Sequence, residues 1–496
     1  MSSRAIVGRD GPLHALAGAL DDAAGGAPRL TLIAGEPGVG KTRLVGELEA
    51  RARDAGFLVL HGESLAFGGE EFPYAPVVAA MRAFPLDDEL GELDPDAREA
   101  LAALLPRLRL DGGGRRFSDR FGQGRLYELM LELLGRAAEG RALLIVLEDL
   151  HWADRSTRDF VAFLARNLRA ERIVLALTYR TGELAPEHPT RRLVTELARS
   201  PLVVRLDLEP LGRDDVARQL EAIAGTPVPA ALAGELHARA GGNPFFVEEL
   251  FAARRDRREH VPATVADAVG LRTAALSEPA RELLAVVAAA GGQASHAVLE
   301  RCVPGPGLGP ALREALDAGL LVRDRGGEGV ALRHGLIGEV VYEALIPAER
   351  TALHETIAAA LQETGAAAAQ LADQWQRAGA LASALAASLE AGAQAARAYA
   401  FAEASAQYER ALTLWDAVRP QDGDRADLLS RAAQAARYSG DQPRALALGR
   451  AALEAHERAA DPVRAARLYE RLGEYHSWGD AAALDCYASA LASANA

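Results

Sequence analysis

The sequence is almost without lysine. Of its 55 basic residues only Lys41 is not an arginine, and asparagine occurs only at Asn167, Asn243 and Asn495. Cysteine is nearly absent as well. Cys302 and Cys486 cannot build a disulfide framework, so a reducing, cytoplasmic location is expected. No run approaches the ~18 apolar residues that a membrane span needs. The opening MSSRAIVGRD has no apolar signal core, so no membrane partner is expected. Positive charge is in deficit: 69 acids against 55 bases leave a net charge of −14, which argues against nucleic-acid binding through the overall field. No zinc-ligand spacing and no G-x-S-x-G string occur, and the 11 histidines are scattered, which leaves metalloenzyme and serine-hydrolase chemistry unsupported.

What is present is an ordinary globular composition, 49% hydrophobic and 25% charged over 496 residues. That length is enough for about three domains. Where every other base is arginine, a single lysine marks a place whose chemistry resists the exchange, since an ammonium is a compact point charge and a guanidinium a broad fork.

Lys41 lies in Gly35-Glu36-Pro37-Gly38-Val39-Gly40-Lys41-Thr42, with Arg43 following, and matches G-x-x-x-x-G-K-[ST] throughout. RLTLIAG before it reads as a buried strand, and TRLVGELEARARDAG after it as a helix. In that setting the glycines let backbone N–H groups converge on phosphate oxygens, and the helix start adds partial positive charge. Lys41 would bridge the β- and γ-phosphates of ATP, and the Thr42 hydroxyl would ligate Mg²⁺. The spacing does not fit the dinucleotide pattern G-x-G-x-x-G.

A second apolar run, Arg141 to Leu147, ends in Glu148 and Asp149. In a parallel sheet ligands lie beyond the carboxyl ends of the strands. Glu148 would hold Mg²⁺ through water and Asp149 would orient or deprotonate the attacking water, although the long reach of Glu148 leaves the two roles open. A third strand, Arg172 to Tyr179, carries Arg180 at its end, positioned to sense the γ-phosphate. With strands over Phe57–His61 and Leu202–Leu206, the alternation predicts a five-stranded parallel sheet with helices on both faces.

These strings resemble a family. VGRDGPL from Val7, GEPGVGKT, LIVLEDLHWAD, TYRTGEL and GGNPFFVEEL from Gly241 together resemble STAND-class signalling ATPases, in particular the ATP-binding region of large MalT-like LuxR-type transcriptional regulators. The resemblance covers about residues 5–355. It implies that Val7, Gly8 and Arg9 lie beside the adenine and that Pro244 packs on the base. It implies that His334 touches the diphosphate in the resting state, although the aspartate that usually follows is Gly335 here. Trp152 is expected as a core anchor, and His151 is open to either role.

Beyond Pro262, helical patterns over Val265–Ala275, Glu278–Ala290, Ala297–Arg301 and Ala311–Ala318 precede two short strands joined by a glycine-rich turn. That order reads as a winged helix. Its Leu312–Leu321 stretch holds only Arg313 as a base, so a clamp on the nucleotide domain is expected over DNA contact. From about Arg350 the chain is alanine-rich. QYERAL from Gln407, LGRAAL from Leu448 and CYASAL from Cys486 recur in similar phase, as do Ser439-Gly-Asp and Trp478-Gly-Asp. A spacing of about 40 residues predicts a solenoid of helix pairs, with Tyr408, Trp415, Tyr438 and Tyr469 filling its layers.

The expected fold is thus an α/β P-loop NTPase with a parallel sheet, then an α-helical and winged-helix region, then an all-α TPR-like solenoid. The expected domains are an ATPase core over 1–210, a helical lid over 211–261, a winged-helix-like domain over 262–346 and helical repeats over 347–496, possibly truncated. The expected function is an ATP-binding, slowly hydrolysing switch with ATP/ADP and Mg²⁺ as cofactors. A small-molecule or protein inducer would bind the repeats, and the ATP form would self-associate. DNA would be reached only through a module not in this chain. The alternatives are a working ATPase, with Arg155 or Arg158 as an arginine finger, and an interaction scaffold with a structural nucleotide.

Overall fold

The structure is a computed structural model. It describes residues 6–64, 73–84, 101, 104, 123–182, 184, 185, 187–255, 265–324, 327, 329–420, 423–457, 462–476 and 481–494. The expected boundary at 261/262 and the Trp478-Gly-Asp turn fall outside these residues.

Strands β1 (Arg29–Gly35), β2 (Leu58–Glu63), β3 (Leu143–Glu148), β4 (Ile173–Tyr179) and β5 (Val203–Leu208) form one sheet in the order β2-β3-β4-β1-β5. Every neighbouring pair is parallel. The runs are continuously apolar because both faces are covered, and alternate residues serve opposite faces. Leu30 and Leu32 of β1, Ile145 and Leu147 of β3, and Leu175 and Leu177 of β4 share a core with the helices Gln123–Gly140, Arg155–Asn167 and Pro189–Leu197. Ile33, Leu144, Val146, Val174 and Ala176 face the other way, onto the helices Asp10–Ala24 and Lys41–Asp54.

Three helices follow, Arg213–Ala224, Ala230–Ala240 and Pro244–Arg255, around their own cluster of Val216, Leu220, Leu236, Val247 and Leu250. Residues 265–364 build a further core. It holds the helices Val265–Ala274, Glu278–Ala289, His296–Cys302 and Leu308–Asp317 and a small antiparallel sheet of β6 (Gln293–Ser295), β7 (Leu321–Arg323) and β8 (Gly329–Leu332). The β7–β8 hairpin is the one expected from the glycine-rich turn; β6 is an extra strand paired to its other side.

The remainder is a row of antiparallel helix pairs: Leu381–Arg397 with Phe401–Val418, Arg425–Tyr438 with Gln442–Glu457, and Pro462–Tyr475 with Ala481–Ala494. QYERAL, LGRAAL and CYASAL each lie in the second helix of a pair, which is why they recur in phase. Glycine permits the tightest approaches: a Cβ on Gly392 would meet the Tyr408 ring at 2.6 Å. Tyr408 is buried and Trp415 partly so, as layer residues should be. Tyr438 departs from that expectation: it remains 44% exposed, resting against Phe401 with ring centroids 4.7 Å apart. Among the described residues no helix is long and apolar enough to cross a membrane.

Candidate nucleotide site

The loop after β1 has the backbone its glycines allow. Gly38 and Gly40 have φ of 79° and 103°, a left-handed conformation that side chains disfavour. Gly40 caps the Lys41–Asp54 helix with no side-chain bond, leaving its first N–H groups directed at the bay above the loop. A Cβ on Gly40 would meet nothing within 4 Å. Lys41 is 7% exposed, and its Nζ donates to the Gly35 and Glu36 carbonyls at 2.9 and 3.0 Å, folded over the loop it serves. Thr42 beside it is exposed.

The acidic strand end lies two strands away. Glu148 is 3% exposed. Asp149 adopts φ 55°, a strained setting for a residue with a Cβ, and its N–H donates to Thr178 Oγ1 of β4 at 2.8 Å. The strain turns the chain sharply at the carboxyl edge and sends Glu148 and Asp149 different ways. His151 Nδ1 is 3.9 Å from Asp149 Oδ1. Burial, then Arg180 and Lys41, push the His151 imidazole down to about 3, so it is neutral. Trp152 is only half-buried, and its ring carries the Arg180 guanidinium 4.4 Å from its centre. It is therefore an aromatic shelf for Arg180 rather than a core anchor. Arg180 follows Tyr179, which pairs with Ala34, so it stands level with the start of the loop.

Later segments close over the loop. Asn243 Nδ2 donates to the Pro37 carbonyl at 2.8 Å, and Phe245 N donates to the Gly38 carbonyl at 3.3 Å. Asn243 Oδ1 also accepts from Phe245 N, capping the Pro244–Arg255 helix. Pro244, singled out by resemblance, accepts from Gln219 Nε2 at 3.0 Å; the side chain that reaches the phosphate loop is its neighbour Asn243. His334 lies flat on Phe245, centroids 4.1 Å apart and planes 12° apart. Its Nδ1 accepts from Leu336 N at 3.2 Å, which assigns the ring proton to Nε2. Burial, with Arg180, Lys41 and Arg333 adding to it, pushes the ring down to about 4. A Cβ on Gly38 would lie 2.8 Å from Asn243 Oδ1, 3.0 Å from Phe245 Cβ and 3.3 Å from His334 Nε2. The glycine is what lets all three approach.

At the other rim, Arg9 donates to the Val39 carbonyl at 3.0 Å, and a Cβ on Gly8 would meet the Asp215 carboxylate at 2.6 Å. The segment holding Val7, Gly8 and Arg9 is thus wedged between the loop and the Arg213–Ala224 helix.

Sequence reasoning missed several polar residues here. Glu248 and Glu249 of GGNPFFVEEL each bind an arginine of the next module, Arg333 and Arg272 respectively. Glu248 also accepts from Gln219 at 3.2 Å and lies 3.9 Å from Arg43. His61 Nδ1 is 2.6 Å from Glu49 Oε1, and its Nε2 is 3.5 Å from Glu148 Oε1. A pair of acids beside an N-cap asparagine, and a histidine at a strand end next to an acidic one, were the available signals.

The helical array also touches this part of the molecule. Glu403, 4% exposed, accepts from Ser156 N at 2.9 Å and from Ser156 Oγ at 2.7 Å. Asp154 caps the same Arg155–Asn167 helix, and burial, then the nearby Glu403, push its carboxyl well above the usual range. Arg155 donates to the Ser439 carbonyl at 3.0 Å and Arg158 to the Ala153 carbonyl.

Residues 5–177 match the family described as an AAA ATPase domain. Over those residues the chain is similar to an AAA ATPase domain. Its phosphate loop, Glu148, Asp149 and β4 lie within or at the edge of the matched segment, while Asn243, Phe245 and His334 come from outside it. The whole chain has the layout of a solved STAND protein with a tetratricopeptide repeat sensor, PH0952 from Pyrococcus horikoshii. The TM-score is 0.54 with 13% identity, covering 100% of this chain and 78% of that one, a likeness of fold. The chain is also 26% identical over 454 residues to a Rhizobium meliloti (strain 1021) protein named "Uncharacterized protein R02095". That alignment covers 82% of this chain and spans 42% of the relative's length. The segment matched to the AAA ATPase domain is therefore followed by a helical array, the same order of folded parts as in that solved structure.

Proposed function

We propose that the chain is a nucleotide-controlled signalling switch, closed on ADP by its own later modules. The observation that carries this reading is the meeting of Asn243, Phe245 and His334 at Gly38 of the phosphate loop. A turnover enzyme needs its phosphate site open for exchange. Here the neutral His334 directs its Nε2–H at the loop from a module some 300 residues later in the chain.

In this reading Gly35, Glu36, Pro37, Gly38, Val39 and Gly40 cradle the phosphates, Lys41 leaves its loop carbonyls for phosphate oxygens, and Val7, Gly8, Arg9 and Pro244 border the base. Arg43 ties the helix to Glu248 of the cover. The oxygen donors Thr42 and Glu148 suit Mg²⁺, a hard cation that keeps waters and phosphate oxygens as its other ligands. Mg²⁺ would neutralise phosphate charge, Asp149 would hold the attacking water, and Arg180, steadied on Trp152, would register the γ-phosphate. Hydrolysis would be slow and would reset the switch.

The modules are proposed as the ATPase core 1–210, lid 211–261, winged-helix-like clamp 262–346 and sensor 347–496, the first sensor helix, Pro347–Thr364, packing into the clamp core through Ile357, Ala360 and Leu361. An inducer, small molecule or protein, would bind the array, and the ATP form would self-associate in the cytoplasm. A LuxR-type output, with DNA reached through a module outside this chain, is the finer reading supported by the motifs. An arginine-finger ATPase is less favoured, because Arg155 and Arg158 are engaged with carbonyls of the same chain. The test is nucleotide exchange: the closed reading expects tightly held ADP whose release quickens about tenfold in His334→Ala. Rapid ATP turnover by the unmodified protein alone would overturn it.

A further inference from the structure

We propose that His61 is a positioning residue that holds Glu148 in place for the nucleotide-bound cation, an assignment that rests on the nucleotide–Mg²⁺ reading of the site. The sheet register brings the two together. β2 and β3 are parallel, with His61 opposite Val146 and Glu63 opposite Glu148. Val146 faces the Lys41–Asp54 helix, and Glu148, two residues on, lies on the same face. His61 also reaches that face, because its Nδ1 lies 2.6 Å from Glu49 Oε1 on that helix. The Glu49 carboxylate can only accept, so Nδ1–H donates. Arg53 lies 3.2 Å from Glu49 on its other side. The ring is thereby fixed, with Nε2 3.5 Å from Glu148 Oε1, a charge contact rather than a hydrogen bond, which attracts that carboxylate only with a proton on Nε2 as well.

Both carboxylates are nearly buried, Glu49 at 5% and Glu148 at 3% exposed. A buried carboxylate close to a cation acts through its orientation, and the group behind it sets that orientation. Here the group behind Glu148 is anchored to the helix whose first turn carries Thr42. The two oxygen donors assigned to the cation are thus joined through one helix, Glu49 and an imidazole. No other assigned role uses His61 or Glu49.

The test compares the full chain with His61→Gln and His61→Ala, using a fluorescent ADP analogue. Affinity is measured first without divalent metal and then against rising Mg²⁺, with the resonance of bound Mn²⁺ as a second readout. The expected result is a metal-free ADP affinity within about twofold of the unsubstituted protein, and a Mg²⁺ requirement raised about tenfold in His61→Ala. His61→Gln, which can still accept or donate at that distance, should fall between. An unchanged Mg²⁺ requirement in both folded variants overturns the assignment, as does an equal loss of affinity with and without metal. If the unsubstituted protein binds ADP but ignores Mg²⁺, the His61 assignment falls and the nucleotide reading stands. If it binds no nucleotide, both fall. Equal thermal unfolding midpoints exclude misfolding as the cause, and a variant that unfolds is replaced by Glu49→Ala, which removes the acceptor at Nδ1 without touching β2.

Discussion

The phosphate loop and its cover teach different lessons about how a site is encoded. The loop is local. Its glycines, its single lysine and its flanking strand and helix lie within 26 residues, from Arg29 to Asp54, and nearly all of its geometry follows from those residues. The cover is assembled from afar. Asn243, Phe245 and His334 arrive from two modules, and what brings them to Gly38 is the packing of Phe245 into the core of residues 265–364 and the ion pairs of Glu248 and Glu249. On the proposed reading, the local loop binds the nucleotide and the assembled cover controls its release.

The sharpest way to break that contrast is at Phe245. Phe245→Ala removes a buried ring from the clamp core and the platform under His334, at about 3–5 kcal/mol. Urea unfolding should show this as a loss confined to the cover, with the parallel sheet retained. Lys41→Ala strikes the local half. Losing a charge-assisted phosphate contact should cost about 2–3 kcal/mol, or roughly 30–150-fold in affinity. The nucleotide content of the purified protein checks it, with the fold unchanged. Asn243→Ala removes both a helix cap and the bond to Pro37, about 1–2 kcal/mol, and should speed ADP release about tenfold without altering the loop.

How far the sequence went follows the same division. The five strands were legible because continuous apolar runs of strand length, bounded by turns, have one reading in an alternating α/β chain. The positions of the loop, Glu148, Asp149 and Arg180 at the carboxyl ends of strands were legible because each follows an apolar run of strand length. Asn243 was hidden because N-P reads equally as a helix start, and attention went to Pro244. Trp152 was misread because its partner, Arg180, follows the neighbouring strand β4, far along the sequence. His61 was invisible because the acids it bridges come from a helix and a different strand. Phe245 stacking on His334 links residues whose proximity depends on two module interfaces, and no local pattern carries that. Tyr438 shows the reverse limit: helical phase marked it as a layer residue, but the depth of each layer is set by its neighbours.

Two smaller effects sharpen the comparison. Ser156→Ala removes one of the two donors to Glu403, at about 1–2 kcal/mol, and should loosen the helical array from the AAA domain while leaving the phosphate loop intact. Faster amide exchange in the Arg155–Asn167 helix would register it. The last effect is near zero at neutral pH. The His334 ring is held down to about 4 in the closed form, below its ordinary 6.5. Its contribution to closure is therefore complete above 6.5 and is lost as pH falls through about 4, because the opened ring takes up a proton more readily. ADP release should accelerate over that interval, and His334→Gln should flatten the profile while retaining His151, whose own acid response lies lower, near 3.

The most direct measurement is the nucleotide content of the purified protein and the rate at which any bound ADP leaves, for the unsubstituted chain beside His334→Ala. Near-stoichiometric ADP, lost slowly from the first and about ten times faster from the second, is the expected result. Equal release rates, or a protein that purifies empty and turns over ATP freely, would contradict closure of the phosphate loop by its own later modules.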